Sequence, residues 1–63
     1  MERERIEAME CAVRQALASC SAILECADAR EVLLRTVTAD AHQYLDAVQR
    51  EIAKIRVRTL GEG

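Results

Sequence analysis

Apolar residues recur along the first part of the chain at Ile6, Met9, Val13, Ala16, Cys20, Ile23 and Ala27. The steps alternate between three and four residues, the spacing of a helix that lays one stripe against a neighbour. Leu17 and Leu24 widen the stripe on one flank and Ala12 on the other, a breadth that suits a bundle better than a two-stranded seam. Glu2, Glu4 and Glu7 stand in the first turns, where negative charge favours the positive end of the helix dipole. Glu10 and Arg14 are spaced as an acid-before-base pair one turn apart. The pattern predicts a first helix over about 3–27.

Near Asp28 the pattern resets. Asp28 followed by Glu31 has the spacing of a capping box, which marks a helix start. A second stripe follows at Val32 or Leu33, then Leu34, Val37, Ala41, Tyr44, Leu45, Val48, Ile52 and Ile55, predicting a helix over about 29–57. Glu31–Arg35 and Asp46–Arg50 are again acid-before-base pairs. The β-branched run Thr36-Val37-Thr38 is a weak point, and Thr38 before Asp40 looks like a second helix start, so the competing readings are a turn near 38 or a kink near 36–39. A turn near 27–30 is favoured because it makes two helices of matching length, which then run antiparallel. Ile55 to Leu60 alternates apolar and polar residues, which also admits a short extended stretch. Gly61 reads as a helix cap or the start of fraying, with a frayed tail over 59–63.

Composition agrees with helices. The 63 residues include no proline and two glycines, both among the last three positions, so the usual punctuation of β-turns is missing. The fold class is all-α: a single domain, 1–63, forming a two-helix antiparallel hairpin. An apolar share of 51% is too high for a disordered segment, and a charged share of 32% is too high for a membrane protein. The net charge of −2 offers no overall attraction to nucleic acid or an anionic membrane. Met1-Glu2-Arg3-Glu4-Arg5 does not open a secretory signal. A cytoplasmic protein is therefore expected.

A chain this short has a second constraint. Ordering each residue costs about 1.5 kcal/mol, and apolar burial returns about 25 cal/mol per Å². A lone hairpin leaves the outer half of each stripe wet. Two hairpins in a four-helix bundle would cover both flanks. The expected partner is thus a second copy, giving a homodimer, or another protein's amphipathic helix. The expected contact residues are Ile6, Met9, Val13, Leu17, Ile23, Leu24, Leu34, Val37, Tyr44, Leu45, Val48 and Ile52. Such a protein would be a non-enzymatic adaptor or chaperone-like module.

In length, turn position and heptads the chain resembles the plasmid-encoded RNA-binding hairpin dimers of the Rop type, and small hairpin co-chaperones of bacterial secretion systems. The likeness is architectural, and no functional motif of either carries over to a numbered residue. It keeps a second reading open, a dimeric nucleic-acid-binding regulator using Arg50, Lys54 and Arg58, with Arg56 nearby. Against it, cations belong at a helix C-terminus and can pair with Glu2, Glu4, Glu7 or Glu10 across the hairpin. Tyr44 is also the only ring available for stacking on bases.

Other chemistry is thin. On one helix Cys11 and Cys26 share a side but lie about 22 Å apart along the axis, and Cys20 points away from both, so no two can bridge within it. They are expected as free thiols, with Cys20 filling the core and Cys11 the most exposed. His42 and the cysteines lack the spacing of a zinc site, and Asp40 and Asp46 fall on different faces. No metal, cofactor, catalytic residue or small-molecule substrate is expected.

Overall fold

The computed structural model describes residues 1–61. Helix α1 spans Glu2–Cys26 and helix α2 spans Val32–Leu60. They lie antiparallel against each other as a hairpin with extents of 47 × 15 × 14 Å. Among the described residues no helix is long and apolar enough to cross a membrane.

The turn is built by two carboxylates. The chain leaves α1 at Ala27 in an extended conformation. The Asp28 Oδ1 accepts from the Arg30 N–H at 2.9 Å, and the Asp28 N–H donates to Glu31 Oε1 at 2.7 Å. The Glu31 N–H donates to the Asp28 carbonyl at 2.9 Å. Only half of the expected capping box forms: Glu31 reaches back to Asp28, but Asp28 does not cap α2. Its carboxylate bonds two residues ahead, an Asx-turn arrangement. Residues 28–30 therefore belong to the turn, Glu31 occupies the N-cap, and α2 starts at Val32 rather than 29.

The backbone and side-chain hydrogen bonds from Arg30 hold the Asp28 carboxyl below its ordinary value of 3.8. A depressed folded pKa contributes stability above the unfolded pKa, and that stability is lost as pH falls through the folded value. Asp28→Asn keeps an oxygen acceptor but removes the charge. The melting temperature of the wild type is expected to approach that of Asp28→Asn as pH drops from 5 through this acid window. A constant difference between the two at all pH values would assign the carboxylate no role.

Helix α2 runs unbroken through Thr36–Thr38, so neither a turn near 38 nor a kink near 36–39 forms. Thr38 is buried between the helices, and tertiary burial there overrides the poor helix propensity of the run. The helix also continues to Leu60, past the expected end at 57. The stretch from Ile55 to Leu60 is helical, not extended. Leu60 packs against the core, and Gly61, at φ 66°, caps the helix by donating its N–H to the Val57 carbonyl at 3.1 Å. Glycine takes this left-handed conformation without the steric cost of a Cβ. The remainder of the expected frayed tail, 62–63, lies outside the described residues.

The core is small. Ile6, Val13 and Ile52 form its buried centre, and Met9, Leu17, Leu45, Ile55 and Leu60 pack partly against them. Cys20 and Thr38 extend the seam toward the turn. The seam residues are spaced by seven in each helix: Ile6, Val13 and Cys20 in α1, and Thr38, Leu45 and Ile52 in α2. That spacing keeps one line of side chains facing the partner helix.

Candidate interaction face

Each seam line has two flanks, and the antiparallel arrangement sorts them by chemistry. A residue three positions beyond a seam residue lies about 60° to one side, and one four positions beyond lies about 40° to the other. On the first side α1 presents Met9, Ala16 and Ile23, and α2 presents Ala41, Val48 and Ile55. On the second side α1 presents Glu10, Leu17 and Leu24, and α2 presents His42, Gln49 and Arg56. The hairpin therefore has one apolar side and one largely polar side.

The polar side is tied shut. Arg56 donates from Nε to Glu10 Oε2 at 3.1 Å and from Nη2 to Glu10 Oε1 at 3.4 Å, a half-buried fork across the helices. Arg35 reaches from α2 to the end of α1, where its Nη1 donates to the carbonyls of Leu24 at 2.9 Å and Ala27 at 3.2 Å. The last turn of α1 carries no basic residue of its own. Arg35 supplies the cation and the donors that the terminal carbonyls lack. The local pairs expected of Glu10 and Glu31 do not form: Glu10 holds Arg56 rather than Arg14, and Glu31 holds the Asp28 N–H rather than Arg35.

The apolar side is open. Between the helices lies a groove of about 430 Å³. Val13, Leu45 and Ile52 form its floor, Met9 and Val48 its walls, and the small side chains of Ala12 and Ala16 leave the recess. Toward the turn the same face becomes bulky. Tyr44 is 75% exposed, Val37 56%, Leu34 45%, Val48 45% and Ile23 41%. Of the other exposed large apolar residues, Val32 and Leu33 lie in the first turn of α2 and Val57 near its end.

The expected contact residues thus divide. Ile6, Val13 and Ile52 are consumed by the hairpin's own core, with Met9, Leu17 and Leu45 packed beside them. Leu24 is half-buried. Ile6 exposes nothing and cannot touch a partner. Ile23, Leu34, Val37, Tyr44 and Val48 are exposed. Tyr44 stands out from the hairpin.

Of the three basic candidates, Arg58 stands exposed in the last turn of α2 and the other two are paired. Arg50 bonds Asp46 at 2.7 Å and Lys54 bonds Glu51 at 3.0 Å. Each answers an acid on its own helix rather than the acids of α1. Cys11 and Cys26 are exposed, and Cys20 is buried. Among the described residues no group of three or more His, Cys, Asp or Glu is placed to hold a metal ion.

Two residues of the arrangement escaped the sequence pattern: Thr38, a polar residue on the seam, and Arg35, which acts across the hairpin. The Arg56–Glu10 pair is of the kind expected, a cation near the end of α2 facing an acid of α1. The absence of a cation in the last turn of α1 was the one signal that pointed toward Arg35. No protein-family model, curated protein or solved structure matches this chain, so the functional reading stands on the geometry.

Proposed function

We propose that this chain is a non-enzymatic helical interaction module whose apolar side receives another helical surface, as an adaptor or chaperone-like protein does. The observation that carries this reading is the asymmetry of the hairpin. One flank of the seam is closed by Arg35, Arg56 and Glu10. The other carries a groove lined by apolar side chains and a row of exposed large ones. Contiguous exposed apolar surface on a small protein marks an interaction site. An amphipathic helix laid in such a groove gains affinity from anchors one turn apart. Val48 and Tyr44 lie one turn apart on this face, and Val37 lies two turns beyond Tyr44. The pairing of Arg50 and Lys54 with neighbouring acids favours this reading over nucleic-acid binding.

The test combines sedimentation equilibrium with fluorescence of anilinonaphthalene sulfonate, which lights up on exposed apolar surface. The apolar side is expected either to bind the dye in a monomer or to be covered in an oligomer that excludes it. A helical monomer that leaves the dye dark overturns the proposal.

A further inference from the structure

Resting on that reading, we infer that the apolar side is covered by a second copy of this chain, related by a two-fold axis along the hairpin, so that α2 of each copy lies on α1 of the other and both turns point the same way. The two helices offer unequal flanks on this side. On α1 the flank is small at Ala12, Ala16 and Ser19. On α2 it is large at Val37, Tyr44 and Val48, all three exposed. The antiparallel hairpin sets the two flanks level with each other. Ala12 and Ala16 line the groove opposite Val48 and Leu45, and Tyr44 is the residue before Leu45. Each copy therefore carries, at one height, a large row and the small flank that receives it.

Two-fold rotation lays such a face on its own copy in two ways. Rotation about the long axis puts the large row of each copy on the small flank of the other, Val48 over Ala12 and Tyr44 over Ala16 and Ser19. Large residues facing small ones interdigitate without voids. Rotation about the short axis puts each helix on its own counterpart, large on large and small on small. The copies would then be held apart at Tyr44 and leave a gap over the alanines.

Charge and area agree. At steps of seven, Arg5 continues the line of Ala12 and Ser19, and Glu51 and Arg58 continue the line of Val37 and Tyr44. The long-axis pair brings Arg58 beside Glu2 of the other copy and Glu51 toward its Arg5. These opposite charges gather at the terminal end, and the centre is left uncharged, as interface centres are. The hairpin exposes 4763 Å², whereas a compact monomer of 7.0 kDa exposes about 4000 Å². The excess of roughly 700 Å² is close to the roughly 800 Å² that each partner buries in a standard interface.

The experiment mixes the full chain carrying a photoreactive benzoyl-phenylalanine at position 44, an exposed site, with isotopically labelled wild-type chain. Sedimentation equilibrium at micromolar concentration is expected to give twice the chain mass. Irradiation is expected to join labelled to unlabelled chain, with mass spectrometry placing the links from position 44 of one copy to residues 12–19 of the other, on α1. Tyr44→Ala, with helicity unchanged, is expected to raise the dissociation constant roughly thirtyfold or more, as loss of an anchoring aromatic does. Links from position 44 to α2 of the other copy would mean the short-axis pair and overturn the inference. So would a helical monomer. A monomer that binds anilinonaphthalene sulfonate removes the second copy but leaves the interaction face standing. A monomer that does not bind it removes both.

Discussion

Replacing Ile6 with alanine is expected to destabilise the protein by about 2–5 kcal/mol, the range for truncating a buried isoleucine to alanine. Among the described residues Ile6 alone has no exposed side-chain surface. It packs in the cluster with Val13 and Ile52, and Met9, Ile55 and Leu60 close around that cluster. The cavity has little freedom to collapse, because the Glu10–Arg56 fork ties the helices together one turn away. Small domains have only about 5–15 kcal/mol of total stability. A hairpin with so few buried residues sits low in that range, so the variant should lose much of its helix at room temperature. Urea unfolding followed by circular dichroism provides the measurement. A midpoint within error of the wild type would mean that Ile6 does not anchor the core.

The second large effect is expected from Arg35→Ala, about 1.5–3 kcal/mol, the range for losing hydrogen bonds from a charged group. One guanidinium nitrogen donates to both Leu24 and Ala27 carbonyls, and the end of α1 has no cation to replace it. The loss should be local first. Amide exchange should accelerate in the last turn of α1 before the middle of either helix responds, since helix ends open below the global unfolding energy. Arg35→Lys keeps the charge but loses the planar fork, so it should recover only part of the difference. A loss below about 0.5 kcal/mol, typical of an ordinary surface side chain, would show that the two carbonyls are served equally well by water.

Much of this fold is legible in the residues. The lack of proline and of internal glycine leaves helix as the only regular structure. The unbroken steps of three and four from Ile6 to Ala27 locate α1, and Asp28 with Glu31 marks the turn. The boundaries of α2 are less legible. Asp28 has two ways to use its carboxylate, capping the helix or bonding two residues ahead, and both start from the same four residues. The continuation to Leu60 depends on a contact with the core that no local pattern contains.

The candidate face was legible only as a list. On α2 the predicted apolar stripe is broad, from Leu34 through Val37, Ala41, Tyr44, Leu45 and Val48 to Ile52 and Ile55. The core takes Leu45, Ile52 and Ile55 from it and the seam adds Thr38, while Leu34, Val37, Tyr44 and Val48 stay exposed. Sequence alone determined that two helices form, where they reverse and that their apolar surface exceeds what one neighbour covers, because helix propensity and heptad spacing are local properties. Only the tertiary structure decided which part of the stripe is used. The reach of Arg35 and Arg56 to groups on α1 turns the polar flank of α2 inward. Hydrogen bonds between distant residues are directional, and apolar burial is not, so the polar ties select the rotation and leave Tyr44 and its neighbours facing out.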